Sequence, residues 1–169
     1  MRKSTVTALA GAALFMSAAL PTAADAAAPA AAPGHVKASA ALSYGYFVNG
    51  DSGKCMDAAW SHVNSTPVVQ YDCYVGATQY WSWNGSEIVN VDSGKCLDAQ
   101  WSHANSTAVV QYDCYGGATQ LWSLRAAGSS WEVVNADSGK CLDAVWSHSN
   151  STTLVQYDCY AGTTQQWHG

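Results

Sequence analysis

A stretch of 31 residues occurs three times in this chain, at 51–81, 92–122 and 137–167, and the copies agree without gaps at 23 of 31 positions. Repetition at a period of about 40 residues constrains the architecture before any single residue does. A unit that short is too small to enclose a core of its own, so three units must share one. Whatever chemistry one copy carries, three copies can carry at once.

Ahead of the repeats, Arg2 and Lys3 precede a largely apolar run over 5–20, and Ala24-Asp25-Ala26 supplies small residues for cleavage. This reads as a secretion signal over 1–26, too short and Ala-rich for a membrane span. Residues 27–43, rich in Ala and Pro, read as an extended leader. The domain is expected over 44–169, with repeats near 44–84, 85–128 and 129–169. Without Arg2, Lys3 and Asp25, five basic residues face eleven acidic ones, a formal charge of −6. That balance argues against nucleic acid and anionic membranes, which require clustered positive charge.

Each repeat holds two cysteines 18 positions apart: Cys55 and Cys73, Cys96 and Cys114, Cys141 and Cys159. In an exported chain this regularity predicts one disulfide per repeat. A zinc site with His62 as an added ligand competes, but no Cys-x-x-Cys spacing is present. Nor is there a carboxylate cluster suited to calcium. The expectation is no metal and no cofactor.

The repeats are rich in Val, Thr, Tyr and Trp, and no segment after the leader sustains a 3.6-residue apolar period. Four short strands per repeat are predicted. In the first copy they cover 44–49, 54–58, 68–73 and 79–83, with a polar loop over 60–66. Gly53, Gly94 and Gly139 supply the turn that needs positive φ. Three such sets sharing one core predict an all-β fold, a closed threefold barrel capped by hairpins: the β-trefoil. Trp81, Trp122 and Trp167 are expected to meet in its core.

The motifs Gly-Lys-Cys-Leu-Asp, Tyr-Asp-Cys and Gln-x-Trp recur in register, each final Trp lying eight residues after the second Cys; the first copy has Met56 in place of Leu. Together they resemble a ricin-B-type lectin repeat, similar also to the sugar-binding modules attached to bacterial xylanases. The resemblance covers 44–169. It implies one shallow sugar pocket per repeat. Asp57, Asp98 and Asp143 would accept hydrogen bonds from two adjacent sugar hydroxyls, a task for which a carboxylate suits. Tyr71, Tyr112 and Tyr157 would carry the apolar ring face. Gln79, Gln120 and Gln165 would orient the Asp or touch the sugar.

Two positions depart from the family pattern. Val69, Val110 and Val155 stand where a polar contact is usual, and Thr78, Thr119 and Thr164 where Asn is usual. The disulfide loop is also one residue shorter than in plant members. Gln70, Gln111 and Gln156 are expected to supply the missing contact, and galactose specificity is not implied. The loop Trp60-Ser-His-x-Asn-Ser-Thr belongs to no usual motif. Trp60, His62 and Asn64, with Trp101, His103, Asn105, Trp146, His148 and Asn150, are further sugar-site candidates. Alternatively Trp60 covers the barrel mouth while His62 and Asn64 fix the loop.

A catalytic centre requires a nucleophile, a base and an orienting group in one sheltered cleft. Here every candidate occurs three times, and neither Gly-x-Ser-x-Gly nor His-Glu-x-x-His is present. The reading is a secreted, monomeric, non-catalytic carbohydrate-binding protein. The alternatives are a secreted trefoil protease inhibitor and an accessory module partnering a glycoside hydrolase.

Overall fold

A computed structural model describes residues 44–84 and 86–169. The signal and leader readings lie outside the described residues. Among those described are sixteen short strands and three single 3₁₀ turns, in the order expected of a threefold β repeat.

In the first repeat, β1 (Tyr44–Gly45), β2 (Val48–Asn49), β3 (Cys55–Asp57), β4 (Thr66–Pro67) and β5 (Val69–Tyr71) lead to a 3₁₀ turn at Ala77–Gln79. β6 (Trp81–Asn84) and β7 (Glu87–Asn90) form the hairpin into the second repeat, which continues with β8 (Cys96–Asp98), β9 (Thr107–Ala108) and β10 (Val110–Tyr112). β11 (Trp122–Ala127) and β12 (Ser130–Asn135) lead into β13 (Cys141–Asp143), β14 (Thr152–Thr153), β15 (Val155–Tyr157) and β16 (Trp167–His168).

Two differences from the sequence reading matter. The fourth strand starts at Trp81 rather than Gln79, because Gln79 lies in the 3₁₀ turn. The polar loop ends in a two-residue strand, and that strand pairs with the next repeat.

Closure is visible in the register. Within each repeat the Cys-x-Asp strand pairs antiparallel with the Val-Gln-Tyr strand, placing Asp57 opposite Val69 and Cys55 opposite Tyr71. Between repeats Trp81 pairs with Asn90, Trp122 with Asn135, and Trp167 with Asn49, so the third repeat returns to the first. A second ring runs through the loops: Pro67 pairs with Val110, Ala108 with Val155, and Thr153 with Val69. Cyclic pairing joins each repeat to the next and the third to the first, and the strands that end the two sheets are only two residues long, too short to offer an extended open edge. The fold is a β-trefoil.

The core is built in triplets from equivalent positions. Met56, Leu97 and Leu142 are fully buried, as are Val68, Val109 and Leu154. Trp81, Trp122 and Trp167 join the same cluster, and their indole N–H groups donate to the carbonyls of Met56, Leu97 and Leu142 at 3.1, 2.9 and 3.1 Å. Each ring thus buries a large apolar area without leaving its one donor unpaired. Asn49, Asn90 and Asn135 are also buried; their amides donate at 2.8 Å to Thr164, Thr78 and Thr119 of the preceding repeat. Their side-chain oxygens cap the turns that follow, where Gly53, Gly94 and Gly139 adopt φ near 67–68°.

The disulfides are those expected: Cys55–Cys73, Cys96–Cys114 and Cys141–Cys159, with no free cysteine among the described residues.

Just after each buried Asp the backbone enters the left-handed region, at Ala59 (φ 57°), Gln100 (φ 54°) and Val145 (φ 50°). A β-branched residue is poorly suited to this region, where an L side chain costs about 1–2 kcal/mol. Glycine removes that strain but raises the entropy of the unfolded chain, by about 0.5–1 kcal/mol. Val145→Gly is therefore expected to stabilise the domain by about 0.5–1 kcal/mol, read as a higher urea midpoint. A lower midpoint would show that Val145 packing outweighs its strain.

Candidate functional site

Each repeat places a buried carboxylate beneath a cluster of exposed aromatic rings. Asp57, Asp98 and Asp143 end the Cys-x-Asp strands and are only 1–3% exposed. Asp57 Oδ1 accepts from the Ala59 N–H at 2.8 Å, which holds the left-handed bend. Its Oδ2 accepts from Gln79 Nε2 at 3.0 Å and from the Tyr74 hydroxyl at 2.9 Å. The second repeat repeats this at Asp98, with Gln100 N, Gln120 and Tyr115 at 2.7, 3.1 and 3.0 Å. In the third, Val145 N and Gln165 reach Asp143 at 2.7 and 2.9 Å.

Of the two roles expected for the glutamines, the geometry matches orientation of the carboxylate. Gln79, Gln120 and Gln165 are fully buried. Gln79 Nε2 is shared between Asp57 and the Asp72 carbonyl, and its Oε1 accepts from Tyr74 N at 2.9 Å. The 3₁₀ turn that carries each Gln is what aims it inward.

Around the carboxylate stand three aromatic rings. Trp60, Trp101 and Trp146 are 66–73% exposed, and Tyr71, Tyr112 and Tyr157 are 37–39% exposed. Between them lie Tyr74, Tyr115 and Tyr160. Trp60 stacks on Tyr74 at 5.5 Å and 8°, while Tyr71 meets Tyr74 edge-on at 88°. Trp101 and Tyr115 are 6.2 Å apart and tilted 30°; Trp146 and Tyr160 are 6.2 Å apart at 24°. In the second repeat an open cleft of about 630 Å³ is lined by Asp98, Gln100, Trp101, Tyr112 and Tyr115, with Ser65 contributed by the first repeat. Gln100 is held across it by a 2.8 Å bond to the Ala108 carbonyl; the equivalent positions are Ala59 and Val145.

Sequence reasoning did not single out Tyr74, Tyr115 and Tyr160. The signal was present: a tyrosine follows the second cysteine in all three copies, with glycine two residues later. Burial pushes these phenols above their ordinary value, and the neighbouring carboxylate adds to the effect.

Gln70, Gln111 and Gln156 do not reach the cleft, contrary to the expectation for them. They are fully buried and clamp the Trp loop of the preceding repeat. Gln111 donates to Ala58 O at 2.9 Å and Ser61 O at 2.5 Å, Gln156 to Ala99 O and Ser102 O, and Gln70 to Ser147 O. Regular strand pairing through Leu97–Gln111 and its equivalents turns them inward, with no bulge to redirect them.

The polar residues of that loop also bond across repeats. His62, His103 and His148 meet Asp92, Asp137 and Asp51 at 2.7, 2.6 and 2.8 Å. Asn64 pairs doubly with Asp113, donating at 2.8 Å and accepting its N–H at 3.0 Å; Asn105 does the same with Asp158, and Asn150 with Asp72. Lys95, Lys54 and Lys140 complete these clasps at 2.5–2.6 Å. The loop that no motif explained is thus a fastener between repeats that presents its Trp outward.

The clasps carry a pH signature. Asp72, Asp113 and Asp158 are held below the ordinary value of 3.8, first by their lysine and then by their asparagine. A carboxylate depressed in the fold contributes stability above its unfolded pKa, and loses it as pH falls through the folded one. Melting temperature should therefore drop as pH falls below about 4, with a smaller drop in Asp72→Asn, Asp113→Asn, Asp158→Asn protein. Because the groups are exposed, salt should shrink the effect. Equal acid sensitivity in parent and variant would assign the loss to other groups.

Among the described residues no three His, Cys, Asp or Glu side chains are grouped to hold a metal ion, and no helix is long and apolar enough to cross a membrane.

The model of the ricin-type beta-trefoil lectin domain matches residues 43–168. The chain belongs to this lectin family. No curated protein matches it. Among solved structures, the domain is similar to ThreeFoil, a designed 3-fold symmetric protein. That pair is 32% identical, covering 74% of this chain and 96% of ThreeFoil, with a TM-score of 0.70. It is also similar to an exo-beta-1,3-galactanase from Clostridium thermocellum, 29% identical over 75% of this chain, TM-score 0.68. The lectin domain spans only 29% of that enzyme. The Rhizoctonia solani agglutinin shares the fold, at 23% identity, coverage of 76% and 94%, and TM-score 0.68. Lectin domains of this family bind carbohydrate, and no catalytic family is indicated for the chain.

Proposed function

We propose that this protein is a secreted, monomeric, non-catalytic lectin with three equivalent sugar sites, one over each buried Asp. The observation that carries the reading is the cleft of the second repeat, where exposed Trp101 and Tyr112 rise beside the Asp98 carboxylate. Aromatic faces suit the C–H surface of a pyranose, and polar groups around an apolar wall fix its orientation. Threefold closure gives the first and third repeats the same set, Trp60 with Tyr71 and Trp146 with Tyr157. Export is supported by the N-terminal signal pattern and by the paired cysteines.

Single shallow sites of this kind bind in the millimolar to tens-of-micromolar range, about −4 to −7 kcal/mol. Three on one domain favour glycan-dense surfaces and branched polysaccharides. A second reading, an accessory module for a polysaccharide hydrolase, draws support from the galactanase that carries a similar domain.

The test is an array of mammalian, bacterial and plant cell-wall glycans probed with residues 27–169. Saturable binding to a set of glycans is expected, and Trp60→Ala, Trp101→Ala, Trp146→Ala protein should lose it while keeping its melting temperature within a few degrees. Absence of binding to every glycan would sink the reading.

A further inference from the structure

The loop that carries each tryptophan has one polar side chain that the fold does not use. In the first copy Ser61 Oγ and Thr66 Oγ1 lie 2.8 Å apart, Ser61 Oγ accepts from Val63 N at 3.1 Å, and Thr66 Oγ1 donates to Val63 O at 2.8 Å. His62 and Asn64 are committed to Asp92 and Asp113 of the next repeat. Ser65 is different. Among the described residues its hydroxyl makes no hydrogen bond, and neither do those of its counterparts Ser106 and Ser151; all three residues are exposed. They also stand in the left-handed region, at φ 65°, 64° and 62°. Glycine enters that region freely, whereas serine does so under strain. Strained residues persist where their surroundings hold them, and they gather at ligand clamps.

Pairing between repeats fixes where the free hydroxyl stands. Thr66 pairs with Gln111 on β10, and the Ser65 N–H donates to the Gln111 carbonyl at 2.9 Å. One step further along the register brings Ser65 level with Tyr112, and Ser65 lines the cleft of the second repeat together with Tyr112 and Asp98. In the same way the Ser106 and Ser151 N–H groups donate at 2.9 Å to the carbonyls of Gln156 and Gln70, the residues before Tyr157 and Tyr71. The strand order β8, β10, β4 then sets the span, and it recurs as β13, β15, β9 and as β3, β5, β14. Asp98 ends β8 and Ser65 precedes β4, so the two flank β10 from opposite sides. At the backbone that is two strand spacings, about 10 Å. One pyranose ring on Tyr112 does not bridge it. Two linked units do, and the cleft of about 630 Å³ has room for them.

We infer that Ser65, Ser106 and Ser151 are the polar contacts for the second unit of an oligosaccharide, in the clefts of the second, third and first repeats respectively. The inference rests on the carbohydrate reading above. Each loop then serves two clefts, lending its tryptophan to its own repeat and its serine to the next. A hydroxyl both donates and accepts, so the contact reads an uncharged sugar hydroxyl in either sense. The ligand class follows: a glycan that presents at least two units in line, the first over the Asp and Trp, the second at the serine. No repeat holds a complete cleft by itself, and the first takes Ser151 from the third through the closure of the trefoil.

The test compares parent protein with Ser65→Ala, Ser106→Ala, Ser151→Ala protein on galactose, mannose, arabinose, xylose and glucose, each as the single unit and as its disaccharide. Alanine keeps the Cβ and the constrained backbone and removes only the hydroxyl. For each sugar that the parent binds, the disaccharide is expected to bind about 3- to 10-fold more tightly than the single unit, the worth of one neutral hydrogen bond. The alanine variant should lose that margin while its single-unit affinity stays within about twofold of the parent's. A parent without the margin, a variant that keeps it, or an equal loss on both probes would overturn the inference. If the alanine variant fails to fold, Ser65→Gly, Ser106→Gly, Ser151→Gly protein gives the same comparison with the backbone strain relieved. That protein should melt at or above the parent temperature and still lose the margin, and parent-like disaccharide binding by it would overturn the inference too. A parent that binds neither these sugars nor any glycan of the wider array would instead defeat the carbohydrate reading, a distinguishable result.

Discussion

Reducing Cys55–Cys73, Cys96–Cys114 and Cys141–Cys159 in native buffer is expected to unfold the domain at about 37 °C. Each bridge closes a loop of 18 positions, and in the chain-entropy model such a closure contributes about 3 kcal/mol. Three together come to about 9 kcal/mol, against total stabilities of about 5–15 kcal/mol for ordinary domains. The paired strands beside each bridge are only three residues long, so little backbone pairing within a repeat can replace it. Melting followed by far-UV circular dichroism with and without a phosphine reductant checks this. A shift of only a few degrees would mean that the two rings of inter-repeat pairing and the buried triplets suffice alone.

Disabling two of the three proposed sugar sites is expected to have the other large effect. With Trp60→Ala, Tyr71→Ala, Trp146→Ala and Tyr157→Ala, the cleft at Trp101 is left intact. Its affinity for a soluble monosaccharide should be unchanged. Retention on a glycan-dense surface should fall by about 10²–10⁴, the gain that linked sites supply when geometry permits joint engagement. Equal loss on both probes would mean that the substitutions damage the shared fold. No loss on the dense surface would mean that the copies do not act together.

The fold was largely legible in the sequence, for a physical reason. A repeat too small to hold a core must share one, and cysteines spaced identically in every copy pair within the repeat. The core Trp of Gln-x-Trp followed from the same logic. What was not legible depends on direction rather than identity. Gln70 and Tyr71 are adjacent, yet the pleat turns the first inward to the neighbouring loop and leaves the second exposed. The partners of His62 and Asn64 lie 30 and 49 residues away, in the next copy. A repeat considered alone cannot show them. Tyr74 belongs to no motif, though the glycine that its ring edge rests against stands two residues on.

The proposed function gives one chain three sugar sites, each walled by its own tryptophan. Titration of the chain with a soluble monovalent form of an array-positive glycan, followed by calorimetry, counts them. Three sites per chain are expected, falling to two, one and none as Trp60→Ala, Trp101→Ala and Trp146→Ala are combined. A stoichiometry that the combined variant leaves unchanged would contradict it.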